Sequence, residues 1–93
     1  MAGIYTIVVI DYYEHNMGTM KEISAPNAYK DKQAAKAKFR EILEQKLGEL
    51  DYDVAEIDFG DEYENIEYFN LRRCAADVED EWFEMKIVYT NLD

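Results

Sequence analysis

Hydrophobic side chains dominate the first stretch of the chain. Ile4–Tyr13 (IYTIVVIDYY) is β-branched and aromatic with almost no polar interruption, which is typical of a central strand buried on both faces. Residues 14–18 are polar and suited to a turn, and Thr19–Ser24 alternates weakly beyond them. The pattern predicts a β-hairpin over residues 4–24. Its exposed second strand should end at Ala25-Pro26-Asn27, because proline cannot donate a hydrogen bond to the ladder.

The next segment has the periodicity of an amphipathic helix. Asp31 is a good N-cap, and Gly48 is suited to the end of a helix. Apolar residues recur between them and just beyond, mostly at spacings of three and four: Ala35, Phe39, Ile42, Leu43, Leu47 and Leu50. This spacing predicts a helix over residues 31–47 with one stripe facing the core. Lys46 falls within the apolar arc, so its ammonium should reach solvent or a carboxylate.

The middle of the chain combines two patterns. Ala55, Ile57 and Phe59 alternate, which predicts a strand over Tyr52–Phe59 that ends at Gly60. Asp61 with Glu64 three residues later resembles an acidic helix start, and Tyr63, Ile66 and Phe69 follow at helical spacing. The sequence therefore predicts a strand followed by a short helical turn.

The last third predicts a closing hairpin, with strands at Phe69–Asp77 and Trp82–Thr90. In the second of these, apolar and polar residues alternate cleanly, as in a strand with one face on the core and one in water. The hydrophobic content of 48% is too high for a disordered chain. We therefore expect one α+β domain over residues 1–93. A mostly antiparallel sheet of four to five strands should pack on one main helix, in the order β-β-α-β-(short α)-β-β.

Charge divides the chain into two unequal halves. Residues 1–50 carry seven acidic and seven basic residues, whereas residues 51–93 carry fourteen acidic and three basic ones. The whole net charge of −11 therefore belongs to the second half. Such asymmetry indicates an interaction surface, because acidity that served solubility alone would be spread evenly. It also accelerates encounter with a basic partner.

The acidic residues concentrate in Asp51–Glu67 (DYDVAEIDFGDEYENIE), where tyrosines separate them, and again at residues 79–81. No Lys or Arg occurs between Lys46 and Arg72. Tyrosine supplies interface anchors that can stack on guanidinium groups. The predicted partner-binding residues are Asp51, Tyr52, Asp53, Glu56, Asp58, Asp61, Glu62, Tyr63, Glu64, Glu67, Glu79, Asp80 and Glu81.

Catalytic and metal chemistry find little support in the sequence. Cys74 and His15 are the only thiol and imidazole, and they are predicted in different elements, a strand and a turn. A zinc site of the usual kind needs more Cys and His ligands. A calcium loop counted from Asp51 would need an oxygen ligand at its fifth position and Gly at its sixth, but Ala55 and Glu56 stand there. We expect no enzyme, no metal and no cofactor.

The remaining signals limit the partner and the compartment. A basic run on the predicted helix (Lys30, Lys32, Lys36, Lys38 and Arg40) is best explained as a solvated face, since a net charge of −11 repels nucleic acid and anionic membranes alike. A single cysteine fits a reducing compartment. The run Ile4–Ile10 lacks the basic flank of a secretory signal, and no stretch reaches the roughly 20 apolar residues of a membrane span. We expect a cytoplasmic protein.

The combination of small size, acidity and interleaved aromatic residues resembles a known class of inhibitors. The segments that carry the resemblance are DYD at Asp51–Asp53, DEYE at Asp61–Glu64 and EDE at Glu79–Glu81. The chain is similar in composition to the proteins that phages and mobile elements encode against host defence nucleases, the anti-CRISPR proteins and anti-restriction DNA mimics. The resemblance implies binding to the surface of an RNA-guided or other defence nuclease that contacts DNA or RNA, within a bacterial cytoplasm.

Two further hypotheses come from other classes. The neutral half with its basic helix and the acidic half could associate head to tail, giving a self-assembling interaction module. A metal-dependent enzyme built on the acidic cluster is the third, although the missing His and Cys ligands disfavour it.

Overall fold

The computed structural model describes residues 3–15, 18–53, 55, 57, 59, 63–74 and 81–91. The first half comprises β1 (Gly3–His15), β2 (Gly18–Tyr29) and α1 (Lys32–Glu49). A 3₁₀ turn at Tyr63–Asn65, β3 (Tyr68–Asn70), α2 (Leu71–Cys74) and β4 (Glu81–Asn91) follow. The strands form an antiparallel sheet in the order β2-β1-β4-β3. The predicted α+β architecture, a sheet on one main helix, is confirmed.

The first hairpin is longer than the sequence predicted. β2 continues through Pro26 to Tyr29, so the predicted end of the strand at Ala25-Pro26-Asn27 was wrong. Two features of the pairing accommodate the proline. β2 lies at the edge of the sheet, where one side of the strand needs no ladder partner. The register also shifts between Ile7, which faces Asn27, and Val9, which faces Ser24.

The core lies between α1 and one face of the sheet. Phe39, Leu43 and Leu47 of α1 are fully buried, together with Ile7 of β1 and Phe83 and Met85 of β4. The predicted stripe is thereby confirmed, and truncation of such a residue to Ala typically costs about 2–5 kcal/mol. The Asp31 carboxylate accepts a hydrogen bond from the backbone N–H of Gln33 at 3.1 Å, as expected of an N-cap.

The segment after α1 does not form the predicted strand. Asp51 turns the chain with a positive φ of 63°, and its backbone N–H donates to the carbonyl of Gly48. The described positions of the predicted strand, residues 52, 53, 55, 57 and 59, have no strand pairing. Ile57 is nevertheless buried, and the Phe59 ring lies 4.5 Å from that of Tyr63. Ile57 and Phe59 therefore contact the core without a ladder, whereas Ala55 is exposed. The helical turn predicted next is confirmed at residues 63–65.

The closing hairpin is also modified. β3 pairs antiparallel with β4, as predicted, but it holds only Tyr68–Asn70. The chain then forms the helical turn α2, so the predicted strand Phe69–Asp77 was too long, and its last residues lie outside the described ones. Leu71 is fully buried at this point. The chain therefore leaves the β-ladder at Leu71, whose side chain is buried in the core.

β1 occupies the centre of the sheet, between β2 and β4. Its residues Ile7 and Val9 face α1 and are buried, at 0% and 4% exposure. Val9 is the register partner of buried Met85, so both side chains point to the face on which α1 packs. The alternate residues of β1 point to the opposite face of the sheet. On the opposite face Ile10 is also buried, at 8% exposure, whereas Ile4, Val8 and Tyr12 are half-buried, so the predicted burial of β1 on both faces is confirmed at Ile10 and partial at these neighbours.

Candidate acidic interface

The predicted site residues that the structure describes do not all lie together. Asp51, Tyr52 and Asp53 directly follow the last turn of α1, and Asp51 and Asp53 are exposed. Glu81 is the first residue of β4 and is also exposed. Six predicted residues lie outside the described ones: Glu56, Asp58, Asp61, Glu62, Glu79 and Asp80. The described part therefore divides the candidate surface into two regions.

The first region is where β1 and α1 both end. The Nζ of Lys46, in the last turn of α1, lies 2.7 Å from Oδ1 of Asp11, which fixes the end of the helix against β1. Asp11 stands directly opposite Glu22 of β2 in the ladder, and Tyr13 is likewise flanked by Glu81 of β4. With the residues at and just after the end of α1, this region comprises Asp11, Tyr13, Glu22, Glu49, Asp51, Asp53 and Glu81. We call it the acidic end.

Like charges face each other at the acidic end. Carboxylates directly opposite across strands destabilise a sheet, and Asp11 and Glu22 are such a pair. Lys46 relieves the repulsion on Asp11, but among the described residues Glu22, Glu49 and Glu81 form no ion pair. Partial burial of the Tyr13 ring and the carboxylates of Asp11, Glu22 and Glu81 raise the pKa of Tyr13, and Lys46 opposes them.

The second region lies along α1, and there the acidic charge is balanced. The Glu67 carboxylate lies 3.3 Å from Nζ of Lys32 and 3.9 Å from Nζ of Lys36. Arg40 donates a hydrogen bond to the backbone carbonyl of Glu64. Lys32 and Glu49, at opposite ends of α1, are about 25 Å apart at 1.5 Å per residue. The structure therefore keeps Glu67 away from the acidic end.

Tyr63, a predicted interface anchor, serves the core. Its ring stacks at a tilt on Phe59, and its hydroxyl donates to Oε1 of Glu44 at 3.1 Å. Burial, followed by this hydrogen bond and the Glu44 charge, raises the pKa of Tyr63 to about 12, while Arg40 lowers it. Tyr52 also packs against the core cluster. At the acidic end, the aromatic residue between carboxylates is instead Tyr13, which is 38% exposed.

The sequence analysis missed Asp11, Tyr13, Glu22 and Glu49. Asp11 and Glu22 are eleven residues apart and belong to the charge-neutral half of the chain. The signal that could have found them was the hairpin register, which follows from the turn and places them opposite each other. All ten Lys and Arg belong to the described residues, whereas eight of the twenty-one Asp and Glu lie outside them.

The described residues were also compared with the requirements of a metal site and of a binding cleft. No group of three or more His, Cys, Asp or Glu among them could hold a metal ion. A groove of about 340 Å³ runs between α1 and β1, with Lys38, Lys46, Asp11 and Glu49 among its lining residues. It opens widely to solvent, and its charged side chains include both signs. Cys74 ends the helical turn α2 instead of lying in the predicted strand.

Searches for a matching family model, a related curated protein and a similar solved structure each found none. The helices described here are too short or too polar to cross a membrane.

Proposed function

We propose that this protein is a non-enzymatic inhibitor whose acidic surface mimics nucleic acid at the DNA- or RNA-binding site of a defence nuclease. The observation that carries the proposal is the acidic end, where carboxylates from β1, β2, β4 and the end of α1 converge and Lys46 pairs with Asp11 alone among them. Acting against nucleases inside bacteria, such an inhibitor would work in the cytoplasm of the host. Charge-based capture explains the excess acidity without requiring catalysis.

The spacing of these carboxylates suits a surface that normally contacts phosphates. Neighbours across the ladder, such as Asp11 and Glu22, are about 5 Å apart, and residues two apart along a strand are about 7 Å apart. A DNA strand carries one phosphate per about 3.4 Å of helix axis. An arginine fork binds a carboxylate and a phosphate in the same bidentate geometry. Tyr13 adds an exposed ring on which a guanidinium can stack.

The repulsion within the acidic end is also consistent with a binding role. Asp11 opposite Glu22 weakens the hairpin, and selection for stability alone would favour an oppositely charged pair there. A basic partner would relieve this repulsion on binding. The free protein would then be less stable than its complex, because a ligand that binds only the folded state adds to its stability.

The test uses DNA cleavage by a panel of purified RNA-guided nucleases and restriction endonucleases. We expect the protein to inhibit at least one of them and to compete with a fluorescent DNA duplex for it. Inhibition should weaken about tenfold or more as NaCl rises from about 50 to about 200 mM, because exposed charges are screened. The variant Glu49→Lys/Glu81→Lys should lose inhibition and keep its far-UV circular dichroism.

A matched control carries the same change in net charge elsewhere. Glu41 and Glu64 are exposed and lie beside cations of α1, Lys38 and Arg40. Glu41→Lys/Glu64→Lys should therefore keep most of the inhibition. Inhibition that survives Glu49→Lys/Glu81→Lys, or a panel with no inhibited nuclease, would exclude the proposal.

A further inference from the structure

The face of the sheet opposite α1 is apolar along its centre. Strand alternation places Ile4, Val8, Ile10 and Tyr12 of β1, with Trp82 and Val88 of β4, on this side, which we call the outer face. An antiparallel sheet with one face in water normally shows polar residues there. The outer face of β1 instead carries side chains that belong in a core.

Several apolar side chains of the outer face are solvent-exposed in the single chain. Ile23 of β2 is 58% exposed, Tyr68 of β3 is 44% exposed and Val88 is 38% exposed. Trp82 is sheltered within the chain, since Tyr12 stacks on it at 5.3 Å and the Arg72 guanidinium lies 4.3 Å from its ring centroid. Single exposed apolar side chains are common on protein surfaces, so the partner of this face must be argued from its charges and its symmetry.

The charges on the outer face select its partner. They are nearly balanced, with Lys21, Lys86 and Arg72 against Glu14 and Glu84, in a chain whose net charge is −11. A basic nucleic-acid-binding protein gains little electrostatic attraction on such a face. A second copy of this chain, by contrast, meets little electrostatic repulsion there.

The same face is complementary to itself. Two copies can stack with their outer faces in contact. A two-fold axis then lies in the plane between the two sheets, perpendicular to the strands, at the level where Val9 pairs with Met85. Glu84 and Lys86 flank that level on β4, so each Glu84 meets Lys86 of the second copy. On β1, Ile10 meets Val8 of the second copy in the same way. We propose that the protein forms a two-fold symmetric dimer by stacking outer face on outer face.

The area is sufficient for a modest interface. Three long strands about 4.8 Å apart and about 37 Å long, with the short β3, give an upper limit of about 550–600 Å² per copy, because Ile10 and Trp82 are already buried within the chain. The pair therefore buries at most about 1,100–1,200 Å², near the lower limit of specific interfaces. Sheets stacked in this manner pack about 10 Å apart at about −30°. The two acidic ends would then lie outside the contact, at opposite extremes of the dimer.

The dimer should respond to salt in the opposite sense to nuclease binding. Two chains of net charge −11 repel each other, and salt screens that repulsion. Sedimentation equilibrium should therefore show a dimer whose dissociation constant falls as NaCl rises from about 50 to about 500 mM. A head-to-tail contact between the basic helix and the acidic half would weaken with salt. That result, or a wild-type monomer at about 1 mM protein under both conditions, overturns the proposal.

Charge exchange across the axis tests the register. Lys86→Glu places a carboxylate against Glu84 of the second copy, and Glu84→Lys places two lysines together, so each variant should dissociate about tenfold more readily or worse. An equimolar mixture restores both ion pairs and should form heterodimers with wild-type affinity. The control Glu49→Lys, away from the outer face, should dimerise at least as well as the wild type.

Folding must be checked because Glu84 accepts hydrogen bonds from Tyr68 and Asn70. If Glu84→Lys alters the circular dichroism, the dimer is tested with Lys86→Glu alone, because Lys86 is exposed and its replacement should not disturb the fold. A Lys86→Glu dimer as tight as the wild type, or a folded mixture that stays monomeric, overturns the proposal. The measurement uses no nuclease, so failure of the dimer proposal would be independent of the proposed inhibition.

Discussion

Lys36 provides the sharpest test of how α1 holds the end of the acidic segment Asp51–Glu67. The residue is only 8% exposed, and its ammonium lies 3.2 Å from Oδ1 of Asn65 and 3.9 Å from Oε1 of Glu67. Lys32 reaches the same Glu67 carboxylate at 3.3 Å, but its side chain is 48% exposed. The pair therefore separates the effect of burial from the effect of charge.

The magnitudes follow from these contacts. Lys36→Ala removes three buried methylenes at about 0.8 kcal/mol each, and it also loses the hydrogen bond to Asn65. Removal of the buried charge relieves some desolvation, so the net loss of unfolding free energy should be about 2–3 kcal/mol. Lys36→Met keeps the apolar stem and should cost less than about 1 kcal/mol. Lys32→Ala, at an exposed ion pair, should cost less than about 0.5 kcal/mol.

Urea denaturation followed by far-UV circular dichroism measures all three variants. Urea is preferable to guanidinium chloride because it is uncharged and leaves the ion pairs unscreened. If Lys36→Met were as destabilising as Lys36→Ala, charge rather than packing would hold this segment. A Lys32→Ala variant as unstable as Lys36→Ala would refute the role assigned to burial.

The remaining predictions concern pH and two glycines. The pKa of Tyr63 is about 12 in the folded protein, above the ordinary value of 10.0. Its contribution to stability is therefore complete below pH 10 and is lost as the pH rises towards 12. As the pH rises from 10 towards 12, the wild type should lose about 1 kcal/mol of unfolding free energy through Tyr63, after allowance for solvent screening, and Tyr63→Phe should not show this loss. Urea titrations at several alkaline pH values would measure the difference. If the variant lost stability over that range as steeply as the wild type, the effect would not belong to Tyr63. Gly18→Ala should cost about 1–3 kcal/mol because φ is 120°, although nothing lies within 4 Å of the added carbon. Gly48→Ala is the matched control, equally uncrowded but within α1, and should stabilise the fold by up to about 1 kcal/mol in thermal melts; equal melting temperatures for the two would remove the backbone explanation.

Local patterns predicted the elements that local interactions dominate. The stripe containing Phe39, Leu43 and Leu47 predicted α1 because helical spacing alone brings these side chains to one side. The alternation of residues 83–89 predicted β4 for the corresponding reason in a strand. The alternation of Ala55, Ile57 and Phe59 predicted a strand that the described residues do not form. A side chain can be buried in the core without its backbone pairing with a neighbouring strand.

The acidic surface was predicted only in part. Asp51, Asp53 and Glu81 lie at the acidic end, as a cluster in the sequence indicated. Glu67 does not, since Lys32 and Lys36 bind its carboxylate along α1. Charge counted along the chain could not reveal this pairing, because the cations lie about thirty residues earlier in the sequence.

The sequence by itself determined the fold class, the main helix with its core stripe and the excess of negative charge, since periodicity and composition are properties of neighbouring residues. The tertiary structure alone decided which carboxylates converge. Asp11 and Glu22 meet through the register of β1 and β2, and Glu49 joins them because Lys46 anchors the end of α1 to Asp11. Tertiary structure also showed that α1 leaves the apolar outer face of β1 uncovered. Both findings depend on contacts between distant parts of the chain, which no local pattern encodes.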